Sequence, residues 1–134
     1  MLAIAGLLAI AAALAIWRNH QREDSALQAM RERLVPLATL LTPNTPEAEL
    51  LLGRRITHAG DAEDAAAALI QLGAGAVLLK GGHLHEGSRV IDRYFDGVSS
   101  EEFSHARLPV DAHGTGCTLA SAIAAQLCRG LSAA

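Results

Sequence analysis

Two short apolar runs, Ala38–Leu41 and Ala76–Leu79, constrain the fold of this chain more than any other feature. Each is too short for a helix and mostly apolar, so each reads as a buried strand. The spacing between them predicts helices. Pro46 fits a first helical turn that continues through Leu52 and stops at Gly53. Thr57–Asp61 carries capping and turn residues, and Asp64–Leu72 predicts a further helix closed by Gly73. Upstream, Leu27, Met30 and Leu34 share one face of a helix over Asp24–Leu34, with Asp24 or Ser25 as its cap and Pro36 as its stop. Strands separated by helices point to an α/β fold with a parallel sheet.

The second half departs from that rhythm. Arg89–Phe95 alternates apolar and polar residues, and Glu101–Leu108 is expected to pair with it across Asp96-Gly97, an antiparallel hairpin signal. Then come His113-Gly114-Thr115-Gly116-Cys117-Thr118 and an Ala-rich run, Leu119–Leu127, that predicts a last helix. Aromatic residues are 3% of the chain, so Ala, Leu, Ile and Val must fill the core.

The first 17 residues contain no polar side chain. That length is marginal for a membrane span, which needs about 20 residues. Arg18 and Arg22 would mark a cytoplasmic side if the segment were an anchor. The alternatives are a buried Ala/Leu helix or a start unrelated to the domain, and the anchor is not favoured. Residues 1–22 are therefore set apart from a domain over 23–134.

Net charge is -3, with basic residues scattered, which gives no basis for nucleic-acid binding. Cys117 and Cys128, on one predicted helix, would stand about 16 Å apart and could not form a disulfide. A reducing cytoplasm is the expected setting. The six histidines have no zinc spacing, and His83-Leu84-His85 alone is a weak metal signal.

Three polar clusters follow strands or open helices, the positions where α/β sheets gather ligands. Asn44 and Glu47, after the first strand, could hold a hydrated Mg²⁺; equally, they could be a turn residue and a first-turn carboxylate. Lys80-Gly81-Gly82-His83, after the second, could reach a phosphate, or could be a strand-ending lysine in a flexible turn. Gly114 and Gly116 place bare backbone N–H groups at a helix N-terminus, a setting for an anion, with Cys117 as base or nucleophile beside it. A glycine turn with Thr115 as cap would explain the glycines alone. Together the clusters suggest phosphoryl transfer, with Cys117 as the base and Lys80 and Mg²⁺ neutralising charge.

The runs LATLLTPNTPEAELLLG, AVLLKGGHL and HGTGCTLASAIAAQL resemble the C-terminal half of the hydroxymethylpyrimidine/phosphomethylpyrimidine kinases of thiamine biosynthesis, in the ribokinase-like superfamily. The resemblance implies a partial three-layer sandwich, a mostly parallel sheet flanked by helices. It implies transfer of phosphate from ATP to hydroxymethylpyrimidine or its monophosphate. By motif, Asn44 and Glu47 would bind magnesium, Lys80, Thr115 and Gly116 would contact ATP phosphates, Gly114, Thr115 and Gly116 would form the anion hole, and Cys117 would be the catalytic base. Some pyridoxine kinases share the Gly-Thr-Gly-Cys form, so a pyridoxine-type kinase is the alternative acceptor class. The family's substrate-binding half has no counterpart here. The 134-residue chain is accordingly expected to be a family fragment without turnover of its own. A homodimer, a completing chain or a non-catalytic membrane-associated module are the other expectations.

Overall fold

A computed structural model describes residues 20–109 and 114–132. Met1–Trp17, the candidate anchor, and His113, the first residue of the glycine turn, lie outside the described residues. Among the described residues no helix is long and apolar enough to cross a membrane.

The chain is helical from residue 20 to 29 (α1), so Asp24 and Ser25 lie inside the helix and do not cap it. The Ser25 hydroxyl instead donates to the Gln21 carbonyl at 2.7 Å, a back-bond typical of mid-helix serine. α1 widens into a π turn at Met30–Leu34 and tightens into a 3₁₀ turn at Val35–Leu37. Pro36 accounts for the change, since it has no N–H to continue the α-helical ladder.

Helix α2 spans Thr45–Leu52 and ends at Gly53, whose φ of 67° makes the left-handed cap that favours glycine. Helix α3 spans Ala59–Gln71, starting well before the expected Asp64. His58 is its N-cap: Nδ1 accepts from Asp61 N at 3.2 Å. The Asp61 carboxylate in turn accepts from the Thr57 amide and hydroxyl at 2.8 and 2.7 Å. These bonds hold Asp61 below the usual carboxylate range. Gly60 sits within the first turn, and the caps outweigh its weak helix propensity.

Strand β1 is Val77–Leu79, β2 is Arg89–Phe95 and β3 is Ser100–Ala106. The expected buried strand Ala38–Leu41 does not form as one: Thr39 and Leu40 bend, Thr39 is exposed and the other three are half-buried. The segment joins β1 only through parallel bridges Leu41↔Val77 and Asn44↔Lys80. The bonds are Leu41 N to Ala76 O, Leu78 N to Leu41 O and Lys80 N to Pro43 O, all within 2.8–2.9 Å. β1 and β2 pair antiparallel, as do β2 and β3, from Phe95↔Ser100 to Arg89↔Ala106. The sheet in this chain is therefore mixed: parallel where helices connect, antiparallel through the hairpin. Asp96 shapes the hairpin turn, its Oδ1 accepting from Val98 N and Ser99 N at 2.9 and 2.6 Å.

Alternation along β1 divides its side chains between two faces. Val77 and Leu79 join Val35, Ala48, Leu51, Ala62, Ala65, Ala66 and Leu69 under α2 and α3. Ala76 and Leu78 join Tyr94, with Leu40 and Ile123, under the last helix α4, Thr115–Cys128. Helices, sheet and α4 make the three layers. α4 packs loosely: none of its residues is buried, and beside the Ile123 contact a cleft of about 350 Å³ lined by Leu40, Leu78, Tyr94, Phe103, Ile123 and Leu127 opens between it and the sheet. Both cysteines lie on α4, free and exposed.

Candidate functional site

The bridge Asn44↔Lys80 sets the first two polar clusters side by side at the ends of two parallel segments. Thr45, buried at the start of α2, adds a long contact from its hydroxyl to the Lys80 carbonyl at 3.5 Å. Asn44 and Glu47 form a complete capping box. Glu47 N donates to Asn44 Oδ1 and Asn44 N donates to Glu47 Oε2, both at 2.8 Å. This reciprocal pairing is the structural work that the Asn-x-x-Glu spacing does here.

The turn after Lys80 is fixed on several sides. Gly81–His83 is a 3₁₀ turn, not a flexible loop. Its two glycines differ in purpose. A Cβ on Gly81 would stand 1.9 Å from the Ile91 carbonyl oxygen, so the strand β2 backbone excludes any larger residue; Gly82 has open space around it. Gly81 N donates to Asp92 Oδ1 at 2.8 Å. Arg107 donates to the Gly82 and Leu84 carbonyls at 2.8 and 2.7 Å. Beyond the turn, the buried Arg93 forms a two-pronged pair with Glu86 at 3.0 and 2.5 Å. The Arg93 guanidinium bonded to Glu86 holds that carboxyl below its ordinary range. Arg93 Nε faces Glu102 Oε1 at 3.2 Å, an ion pair without hydrogen-bond alignment.

The third cluster meets the second through Lys80. A Cβ on Gly116 would lie 2.9 Å from Lys80 Nζ, so the ammonium rests against bare backbone in the first turn of α4. Gly114, with φ 83°, is the N-cap of α4, and there is no side-chain cap. Thr115 is the first helical residue and does not cap it. The first intrahelical bond runs from Thr118 N to Gly114 O at 3.0 Å, with the Thr118 hydroxyl on the same carbonyl. The N–H groups of Thr115, Gly116 and Cys117 thus precede the helical ladder, and the helix dipole adds positive potential to them. Lys80 is half-buried and Cys117 exposed.

The structure therefore brings Asn44, Glu47, Lys80, Gly114, Thr115, Gly116 and Cys117 to one end of the sheet. Asp92 and Arg107 escaped the sequence reading. They belong to the hairpin, where charged residues on alternating positions read as solvated faces.

Comparison with known proteins identifies the family and the fold. The sequence profile of the phosphomethylpyrimidine kinase family matches residues 17–134. The chain is 51% identical over 109 residues to the thiamine biosynthesis bifunctional protein ThiED of Geobacter sulfurreducens, covering 81% of this chain and 22% of that protein. It is 50% identical over 109 residues to the hydroxymethylpyrimidine/phosphomethylpyrimidine kinase of Mycobacterium bovis, covering 81% of this chain and 40% of that one. The ADP complex of Bacillus subtilis pyridoxal kinase superposes with a TM-score of 0.74 at 36% identity, covering 79% of this chain and 40% of that one. The phosphomethylpyrimidine kinase of Clostridium difficile superposes with a TM-score of 0.66 at 33% identity, covering 79% and 41%. The chain belongs to the phosphomethylpyrimidine kinase family, and its architecture is a partial ribokinase-like α/β sandwich. It spans about 40% of the length of the single-function kinases it matches.

Proposed function

We propose that this chain supplies the phosphate-handling end of an ATP-dependent kinase acting on hydroxymethylpyrimidine or its monophosphate. The observation that carries the reading is Lys80 Nζ against Gly116, at a helix N-terminus with no side-chain cap. A cation and the N–H groups that precede the helical ladder then face the same space, the arrangement that stabilises charge spreading over a transferring phosphoryl group. Cys117, in the same turn, is positioned in sequence to take the proton of the acceptor hydroxyl.

ATP is the phosphate donor in this reading. For magnesium, the capping box engages Asn44 Oδ1 and Glu47 Oε2 with backbone N–H groups. Among the described residues no three His, Cys, Asp or Glu side chains are grouped to hold a metal. The donor set suits a hydrated Mg²⁺ carried by the nucleotide and touched by the exposed Glu47 carboxylate, not a cage made by protein alone. Bound in that way, the ion would offset charge on the phosphates. The domain is taken to act in the cytoplasm.

Pyridoxal is the second acceptor reading, because pyridoxal kinases are among the similar structures. Transfer of label from ATP separates the two, with hydroxymethylpyrimidine and pyridoxal as parallel acceptors. The chain is assayed alone and mixed with the portion of the Bacillus subtilis hydroxymethylpyrimidine/phosphomethylpyrimidine kinase that it does not match. Label on the pyrimidine in the mixture, lost in Cys117→Ser, is the expected result. Label on pyridoxal alone would favour the second reading, and full transfer by Cys117→Ser would remove the thiol from the mechanism.

A further inference from the structure

We infer that Asp92 and Arg107, on and just after the hairpin strands, are positioning residues for the lysine that meets phosphate. The inference rests on the proposed role of Lys80 and extends it to residues that touch no reacting atom.

Lys80 directly follows β1, and the direction of its side chain depends on the backbone after it. That backbone is held by three hairpin contacts. Asp92 accepts the Gly81 N–H through Oδ1 at 2.8 Å. Arg107 spans the turn, donating to the Gly82 carbonyl at 2.8 Å and to the Leu84 carbonyl at 2.7 Å. The Ile91 carbonyl closes the third side, 1.9 Å from where a Gly81 Cβ would stand. On its other side Lys80 is fixed by its own N–H to Pro43 O at 2.9 Å. A lysine side chain is long and flexible, and holding it in one place costs conformational entropy. Fixing the backbone on both sides of Lys80 lowers the part of that cost that falls on binding, which is preorganisation of a charged contact. His105 Nε2 lies 3.8 Å from Asp92 Oδ2, so the two carboxylate oxygens meet different partners and Oδ1 is the one on Gly81.

The distinction between a charge and a hydrogen-bond acceptor makes the inference testable. Asparagine at 92 keeps an oxygen for Gly81 N and loses the charge, whereas alanine loses both. Magnesium-ATP is titrated calorimetrically into the full chain and into Lys80→Ala, Asp92→Ala, Asp92→Asn and Arg107→Ala, with thermal unfolding of each as the control for folding. Lys80→Ala is expected to weaken ATP binding. Asp92→Ala and Arg107→Ala are each expected to weaken it by about tenfold, the scale of one charge-assisted hydrogen bond, with Asp92→Asn within about twofold of wild type.

Unchanged affinity in Lys80→Ala, or no ATP binding by the wild-type chain, would overturn the phosphate reading and the inference with it. Weakened binding in Lys80→Ala with wild-type affinity in Asp92→Ala and Arg107→Ala would overturn the inference alone. An Asp92→Asn variant as weak as Asp92→Ala would overturn it too, because the bond to Gly81 would then not be what matters. Should Asp92→Ala fail to fold, Arg107→Ala decides, since its guanidinium lies near the surface on backbone carbonyls and can be removed without opening the core.

Discussion

The two faces of the sheet are built to different standards. Under α2 and α3, the side chains of Ala48, Ala62, Ala65, Leu69 and Val77 have no exposed surface at all. α4 has no charged residue, unlike α2 and α3, yet it leaves every one of its residues at least partly exposed, with an apolar cleft beneath it. Apolar content is therefore not what separates the faces. The α2/α3 face is made by small residues at helical spacing that let two helices approach the strands closely. Among the described residues the α4 face offers Ala76, Leu78 and Tyr94, with Leu40 and Ile123 packed against them. The lesson is functional, because the site straddles the boundary. Lys80 grows from the tightly packed frame, and Gly116 is carried by the loosely packed helix.

Substitutions can break or sharpen this contrast. The largest effect is expected for Gly81→Ala, where the new Cβ would meet the Ile91 carbonyl and either backbone must shift. More than about 3 kcal/mol of unfolding free energy should be lost, beyond ordinary overpacking. Denaturant unfolding measures it, and a near-neutral result would mean the turn is not held as described. Leu69→Ala, in the tight face, should cost about 2–5 kcal/mol. Leu127→Ala, its counterpart on α4, should cost less than about 1 kcal/mol, because the residue already borders an open cleft. Equal costs at the two positions would erase the distinction between the faces. Gly116→Ala should separate stability from binding: its Cβ displaces only the flexible end of Lys80, and alanine favours a helix. Its thermal midpoint should hold or rise while ATP affinity falls.

The smallest expected effect is on pH dependence. Glu86 is held below its ordinary value by the hydrogen bond from Arg93, so its contribution to stability is complete at neutral pH. That contribution disappears as the pH falls through and below the ordinary carboxylate range. Glu86→Gln should flatten the acid limb of the stability profile, and an unchanged limb would place the acid sensitivity elsewhere.

Much of the fold could be read from the residues, and the reasons are local. Pro46 and Gly53 bracket α2 because one lacks an N–H and the other accepts a positive φ. The Asp96-Gly97 turn was visible because both residue types have few other roles between alternating strands. The start of α3 was misplaced because Gly60 and the Thr57–Asp61 cluster read as a turn, while their side chains were building a cap. The three polar clusters could be found separately, but their meeting depends on the Asn44↔Lys80 bridge and on the space left at Gly116, which no spacing rule reports. Arg93 was hidden for a similar reason: an arginine in an alternating strand reads as solvated, and only Glu86 and Glu102 from separate segments let it be buried.

The central claim is that the three clusters form a single phosphate site. Amide chemical shifts of the isotopically labelled chain, followed through a titration with magnesium-ATP, test it directly. The account predicts that the amides of Asn44–Glu47, Lys80–Gly82 and Gly114–Thr118 shift together, along one binding curve. Shifts confined to one cluster, or separate curves with different affinities, would contradict it.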